Sequence, residues 1–346
     1  MKKVLSLLIV LFVLVSAAVS CGSEKPTADT SMTADTGTGP AATDTLPETT
    51  GKTPDTDGPE IDPASVTPLL WRVTDASGHE LYLFGTIHVG DRRTTVALEK
   101  LAGRIRECDA LAVEFDAVAY ENDMAAMMAD MQKYVLTDGT RITDHMPAEL
   151  YEQAKAELEK ASLYNGFLDF YKLALWSQLV ENALLMNESK LDTEYGMDGQ
   201  LIRFAYDNGI DVLDVESASF QTGVMLDMSD ELHVFLIKSS LEHKGEYGEQ
   251  VDGMYEAWVA GDEDGIIDYD STETDEYTEE ELALIEEYNK ALIYDRNIGM
   301  ADKAEEYLAA GQKTFFAVGT GHMVGEGGIA DLLTQRGYKV EKISVD

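Results

Sequence analysis

The chain has 346 residues, of which 45% are apolar, and it carries 65 Asp and Glu side chains against 26 Lys and Arg. This apolar content is enough for one large domain or two small ones, which argues against a chain that is disordered throughout. The formal net charge of −39 repels phosphate backbones and anionic lipid headgroups, which argues against nucleic-acid binding and a polybasic membrane face. The two cysteines, Cys21 and Cys108, are too few for a disulfide scaffold or a cysteine-based zinc site.

Residues 1–21 have the pattern of an export signal. Lys2 and Lys3 precede an apolar run at 4–15 and small residues at 16–20, and this run is shorter than the roughly 20 apolar residues that a membrane-spanning helix needs. The small residues end at Cys21, where the segment resembles a bacterial lipoprotein lipobox with Cys21 as the lipidated residue. The alternative is an ordinary cleaved signal in which this cysteine is incidental.

A polar segment follows the signal. Residues 22–64 contain almost no aromatic or branched aliphatic side chains and are rich in Thr, Asp, Pro and Gly. Such a stretch cannot bury enough apolar surface to fold, so we expect a disordered tether that leads to a folded domain at 65–346. The domain would then work outside the cytoplasm as a membrane-anchored lipoprotein, with Cys108 as a buried thiol.

Strand-like runs begin the folded domain. The runs at 69–74 and 80–84 are joined by the turn sequence DASGH at 75–79, which predicts a β-hairpin. Further apolar runs of strand length lie at 110–115, 211–215 and 314–318.

Helical patterns separate these strands. They cover 94–107, 122–134, 148–160, 167–189, 198–208, 229–260 and 279–310. Strands that alternate with helices predict an α/β fold with a mostly parallel sheet flanked by helices. The long helical block around 120–190 interrupts this alternation, so we expect it to be an insertion or a cap.

Two histidines stand three residues after a glycine, in Gly85-Thr86-Ile87-His88 and Gly319-Thr320-Gly321-His322. Each glycine directly follows a strand-like run, so each histidine lies just past the carboxyl end of a strand. Glu114 ends another strand and Glu216 follows a third. Because ligands and catalytic groups gather outside the carboxyl ends of the strands in an open parallel sheet, we expect these four side chains to converge on one rim.

Two imidazoles and a carboxylate, from His88, His322 and Glu114, form a sensible first coordination shell for a divalent ion that also binds water. A second carboxylate could accept the proton of that water. The alternative is that the histidines are hydrogen-bonded polar residues at strand ends and that the carboxylates cap helices, and the pattern alone does not decide between the two. We assign no role to the other four histidines, which are His79, His145, His233 and His243.

Five ordered blocks carry a family resemblance: LWRVTDASGHELYLFGTIHVGD, CDALAVEFD, GMDGQLIRFAYDNGIDVLDVESASFQ, YDRNIGMADKAEEYL and TFFAVGTGHMVGEGGIADLLTQRGYKV. Over residues 69–344 the chain resembles the TraB/PrgY/GumN family, which includes the TIKI proteases. The resemblance implies an α/β fold similar to that of erythromycin esterase and the ChaN haem-binding proteins. For the TIKI branch it implies a metal-dependent peptidase activity that uses manganese or cobalt.

The resemblance also assigns residues. It makes His88 and His322 the two motif histidines and Glu114 the motif acid, and it matches Glu216 and the pair Arg296-Asn297 to recurrent positions. Arg296 is expected to stabilise developing negative charge, because a guanidinium stays protonated and offers several donors. The alternative for Arg296 is an ion pair with one of the many acidic residues.

Asp198, in the GMDGQ block, is expected to orient the start of a helix rather than to perform chemistry.

The leading hypothesis is an extracytoplasmic, lipid-anchored metal-dependent hydrolase, most simply a peptidase, with manganese or cobalt held by His88, Glu114 and His322. Glu216 and Arg296 would act as catalytic residues. The expected partners are a peptide or small-molecule substrate and, through the lipid alone, a membrane, with no nucleic acid. The competing hypotheses are a non-catalytic lipoprotein that binds a peptide or a tetrapyrrole, and a metal-independent esterase that uses His and Glu.

Overall fold

The computed structural model of the chain describes residues 61–270 and 277–345. The predicted signal, Cys21 and all but the last residues of the predicted tether lie outside the described residues. In the described part, no helix has both the length and the apolar character that crossing a membrane requires.

The domain is built around a six-stranded sheet. Its strands are β1 (Leu70–Thr74), β2 (Glu80–Thr86), β3 (Ala110–Val113), β4 (Asp211–Asp214), β5 (Thr314–Gly319) and β6 (Lys339–Ile343). In space they follow the order β4-β3-β5-β2-β1-β6. Strands β4, β3, β5 and β2 are parallel, whereas β1 pairs antiparallel with both β2 and β6. The sheet is therefore mixed with a parallel centre, and the predicted α/β class is confirmed.

The predicted hairpin is β1 and β2. Its turn is fixed by Asp75, whose Oδ1 accepts hydrogen bonds from the backbone N–H groups of Ser77 and His79, both at 2.8 Å. Gly78 has a φ of +88°, a conformation that costs glycine little. Strand β6, which the sequence pattern did not reveal, covers the outer edge of β1.

Helices surround the sheet on both faces. They are α1 (Arg92–Arg106), α2 (Ala117–Asn122), α3 (Met124–Lys133), α4 (Ala148–Lys160), α5 (Leu173–Glu188), α6 (Met197–Asn208), α7 (Ala218–Asp227), α8 (Asp230–Glu242), α9 (Lys244–Ala260), α10 (Glu263–Asp270), α11 (Glu279–Asn289), α12 (Asp295–Ala309), α13 (Thr320–Met323) and α14 (Ile329–Gln335). The predicted helix at 229–260 is two helices, α8 and α9, which meet at His243. A π-helical turn, Lys290–Tyr294, joins α11 to α12.

Three hydrophobic cores hold these elements. One face of the sheet packs Phe84 and Phe315 against Trp258, and the other packs Leu83 and Phe316 against α12 and α14. The third core contains no strand. It joins helices α4 and α5 to α8 and α11 around Trp176, which gives the molecule a helical layer beside the carboxyl ends of the parallel strands.

Candidate active site

His88 lies just beyond β2, where Gly85 allows the segment at Thr320 to approach closely. A Cβ atom at Gly85 would lie 2.6 Å from Oγ1 of Thr320, so only glycine fits here. The ring of His88 is oriented by Asp198, because its Nδ1 lies 2.8 Å from Oδ2 of that carboxylate. Thr86 holds the other carboxylate oxygen of Asp198 with a hydrogen bond of 2.6 Å.

Asp198 stands in the first turn of α6, which begins after Gly196. The positive end of the helix dipole favours a carboxylate at this position. Sequence reasoning placed Asp198 at a helix start, but its side chain acts on His88, which the helix start alone could not reveal. Gly196 lets the helix approach, since a Cβ atom there would lie 2.5 Å from the carbonyl oxygen of His88.

Glu114 follows β3, and both of its carboxylate oxygens are held. Oε2 accepts hydrogen bonds from Nη2 of Arg296 at 2.7 Å and from Nε2 of Gln221 at 2.8 Å. Oε1 accepts one hydrogen bond of 2.9 Å from the backbone N–H of Gly319. The carboxylate is thus fixed on one side by side chains and on the other by the end of β5.

Arg296 forms a buried ion pair with two carboxylates. Its Nη2 lies 2.7 Å from Glu114 and 2.8 Å from Glu216, and only 3% of its side-chain surface is exposed. Its Nε donates to Oε1 of Glu216 at 2.9 Å, and its Nη1 donates to the carbonyl oxygen of Leu292 at 3.3 Å. Gln221 also donates to Glu216, at 3.0 Å. The guanidinium is therefore engaged by the protein itself.

His322 lies in α13, directly after β5, and is buried. Its Nδ1 lies 2.7 Å from Oδ1 of Asn297, and Asn297 in turn donates from Nδ2 to the carbonyl oxygen of Gly327 at 2.9 Å. Because an amide oxygen can only accept, Nδ1 of His322 must carry the proton. The lone pair of His322 is then on Nε2.

The two histidines and Glu114 meet around Gly319. A Cβ atom added to Gly319 would lie 3.2 Å from Oε1 of Glu114, 3.6 Å from Cδ2 of His322 and 3.9 Å from Nε2 of His88. The structure therefore brings together the three residues predicted to hold a metal, and it places Glu216 and Arg296 behind Glu114. It makes Gly319 the centre of the arrangement.

The surroundings drive the two imidazoles to different protonation states. Burial opposes the charging of His88, but the charge and hydrogen bond of Asp198 and the charge of Glu114 outweigh it and raise the pKa of His88 to about 9. Burial, assisted by the charge of Arg296, lowers the pKa of His322 to about 3. Burial alone would raise the pKa of Glu114, yet Arg296 and the two histidines hold it well below its usual range.

The donor atoms match those that a divalent ion takes. Neither Nε2 atom has a hydrogen-bond partner among the described residues, and both Nδ1 atoms are bound to side-chain oxygens, as in histidines that ligate metals. Glu114 Oε1 supplies the carboxylate. However, within 61–270 and 277–345 no group of three or more His, Cys, Asp or Glu side chains is arranged closely enough to hold an ion. The donor atoms are of the kinds that a divalent ion binds, but they lie too far apart in this structure to hold one.

A cavity of about 790 Å³ opens beside these groups, and His88, Glu114 and Gln221 line it. Its volume lies within the range of pockets that bind small molecules. Its lining comes from the end of β3, from α2 and α5, and from the segment that leads into α6.

Two residues support the site without a role assigned from the sequence: Gln221, which was not singled out, and Asn297, which was matched to a recurrent position only. Both belong to blocks that carry the family resemblance, and Asn297 is next to Arg296 in the chain. Their place in these blocks was the only sign in the sequence that they matter, and it does not show which side chains they contact.

Residues 69–342 match the TraB/PrgY/gumN family. Two curated relatives, both called uncharacterized protein YbaP, come from Escherichia coli strain K12 and Shigella flexneri. Each is 23% identical to the chain over 265 residues, which cover 75% of this chain and 90% of the relative. No solved structure matches the chain.

Proposed function

Because the chain belongs to the TraB/PrgY/gumN family, we propose that it is a lipid-anchored, extracytoplasmic hydrolase that cleaves peptides with an activated water. The observation that carries the proposal is the meeting of His88 Nε2, His322 and Glu114 Oε1 around Gly319. These groups can accept and donate protons within reach of one water molecule beside a cavity large enough for a substrate.

The proposal includes a divalent ion, manganese or cobalt, held by His88, Glu114 and His322. When bound, such an ion would lower the pKa of water and polarise the substrate carbonyl. Support comes from the donor chemistry of the three residues and from the resemblance to the TIKI branch.

The other residues of the site act as positioning groups in this proposal. Asp198 and Asn297 bind the Nδ1 atoms and leave the Nε2 atoms of both histidines for water, substrate or an ion. Arg296 fixes Glu114 and is itself fixed by Glu216. Because the guanidinium is buried among protein acceptors, we propose that it sets the position and charge of Glu114 rather than touching substrate.

The test is cleavage of a peptide library by the purified full chain with added Mn²⁺ or Co²⁺. We expect a chelator to abolish cleavage and either ion to restore it. His88→Ala and His322→Ala should each lower the cleavage rate by at least about a hundredfold. His79→Ala is the matched control, since His79 lies in the hairpin turn and bonds Asp75. Bound ion without cleavage of any peptide would instead identify a binding protein.

One observation favours a second candidate, a hydrolase that uses His and Glu without a metal. The pKa values of His88 and His322 are displaced in opposite directions, to about 9 and about 3. Such a pair offers a general acid and a general base at neutral pH. Cleavage that survives exhaustive chelation, yet is lost in both histidine variants, would select this candidate over the metal-dependent one.

A further inference from the structure

The cavity beside the proposed catalytic groups is lined by a buried side-chain amide that has no hydrogen-bond partner in the described part of the chain. Asn182, on α5, lines the cavity and is 8% exposed, and its side chain makes no hydrogen bond with any residue that the structure describes. Buried polar side chains are normally paired. Since no described residue pairs with this carboxamide, its partner is expected among the molecules that enter the cavity.

The chemistry of Asn182 indicates the kind of group that it would bind. A carboxamide presents both N–H donors and an acceptor oxygen. A peptide group, with one N–H and one C=O, is the complement of this pattern. Apolar side chains lie on the same walls, including Val118 and Leu185, and they suit an apolar residue next to the bound peptide group.

The charge around the cavity is acidic. Two of its carboxylates are already paired, Glu114 with Arg296 and Asp198 with His88. Three more are exposed and form no ion pair with a described residue: Glu121, Asp192 and Glu194. Among the lining residues that the structure describes, Arg203 is the one Lys or Arg. This excess of negative charge attracts a cationic group.

We propose that the cavity selects a peptide segment in which an apolar residue is next to Lys or Arg. Asn182 binds a main-chain amide of this segment, and Glu121 and Glu194 bind its basic side chain. The carboxylate of Asp192 also accepts a hydrogen bond from the backbone N–H of Glu194, so we assign it the local turn. The inference rests on the proposed function, because it names the substrate class of the same site.

The test measures binding, independently of cleavage, by fluorescence anisotropy with the purified full chain. The probes are two labelled peptides, Ala-Lys-Leu-Lys-Ala and Ala-Glu-Leu-Glu-Ala. We expect the lysine peptide to bind at least about tenfold more tightly at low salt, with a smaller ratio at high salt. Asn182→Leu is expected to weaken binding of the lysine peptide about tenfold, which corresponds to the loss of one hydrogen bond.

Matched variants separate the contributions. The double variant Glu121→Gln/Glu194→Gln is expected to bring the affinities of the two peptides within about threefold of each other. Glu249→Gln, an exposed change on α9 outside the cavity, should leave the ratio unchanged. Because Asn182 has no described partner in the fold, Asn182→Leu is expected to keep or raise Tm, and Asn182→Ala serves as the second variant.

Equal affinity for the two peptides, or unchanged binding in both Asn182 variants, would overturn the inference. Selective binding without cleavage would leave the inference standing and contradict the hydrolase. Cleavage of peptides without any preference for basic residues would support the hydrolase and contradict the inference about substrate class.

Discussion

His88 and His322 occupy equivalent positions in two Gly-x-x-His motifs, but their neighbours differ. The Nδ1 atom of His88 meets a carboxylate, Asp198, whereas that of His322 meets the neutral amide of Asn297. A carboxylate stabilises the imidazolium, and a neutral amide in a buried place does not. Two copies of one motif therefore give two imidazoles whose pKa values are displaced in opposite directions.

A substitution at Gly319 tests the arrangement of the site. Gly319→Ala places a methyl group 3.2 Å from Oε1 of Glu114, so the carboxylate must shift by a few tenths of an ångström and the space shared with His88 is partly filled. We expect peptide cleavage to fall by at least about tenfold, since small displacements of reacting groups are costly. The φ of Gly319 is −46°, which alanine accepts, so Tm should change little.

The control is Gly299→Ala, at an exposed position on α12 where an added Cβ meets nothing within 4 Å. It should keep full activity. Full activity in Gly319→Ala as well would contradict the central position that we give to Gly319.

Among the elements, the strands of the parallel centre were predictable because they are short apolar runs followed by Gly, Asp or Glu. Strand β6 was not, because Lys339–Ile343 runs charged, apolar, charged, charged, apolar without the strict alternation of a half-buried strand, and it lies at a sheet edge. The break between α8 and α9 was also missed. It falls at His243 without a proline, so the helical pattern of the sequence continues across it.

Gly248 gives a prediction for the packing of two helices. It lies in α9 against the end of α5, where an added Cβ would overlap the carbonyl oxygen of Glu188. Backbone atoms cannot move aside as a flexible side chain can, so Gly248→Ala should lower the free energy of unfolding by about 1–3 kcal/mol. Urea unfolding monitored by circular dichroism measures this change.

Gly245→Ala is the matched control in the same helix, because an added Cβ there meets nothing within 4 Å. Alanine favours helices over glycine by up to about 1 kcal/mol, so this variant should be as stable as the original chain or more stable. Equal loss of stability in both variants would contradict the explanation by contact with α5, because helix propensity favours alanine at both positions.

In the whole molecule, the parts of the site come from distant positions in the chain. Gly319 and Glu114, which share a hydrogen bond, are 205 positions apart. Strand ends were enough to predict that His88, Glu114, Glu216 and His322 lie on one rim. The sequence offered an ion pair as the alternative for Arg296 but could not show that this pair is buried between two carboxylates. Nor could it show that Asn182 has no partner among the described residues, because both facts depend on how the helical layer packs against the sheet.

The buried side chain of Glu181 is expected to make the stability of the molecule depend on pH. It is buried in the helical layer, its Oε1 has no hydrogen-bond partner among the described residues, and burial raises its pKa well above the usual value. An unfolded Glu ionises near pH 4.3, so above that pH the folded state binds more protons than the unfolded state. Glu181 therefore lowers the free energy of unfolding as pH rises.

Glu181→Gln removes this titration. We expect the variant to become more stable than the original chain as pH rises from 5 to 8, by up to about 1.4 kcal/mol per pH unit within the range of the displaced pKa. Urea unfolding at several pH values measures the difference. Glu249→Gln, at an exposed position on α9, is the control for the loss of one carboxylate. A difference that stays constant with pH for Glu181→Gln would contradict the prediction.

The proposed anchor also concerns the whole molecule. Replacing Cys21 removes the sulfur that would carry the lipid, so Cys21→Ala should release the domain from membranes or leave an unprocessed precursor. Fractionation of cells expressing each form measures this. Unchanged membrane association of a processed Cys21→Ala chain would contradict lipidation.

The position of β5 in the sheet determines when the site can form during synthesis of the chain. β5 lies between β2 and β3, and it carries the Gly319 N–H that holds Glu114 and leads directly into His322. A growing chain emerges from the ribosome with β2 and β3 already made but with no strand to join them. Copies whose synthesis has not reached β5 therefore lack both the joined sheet and one imidazole, so any hydrolytic activity must wait until β5 and His322 have been translated.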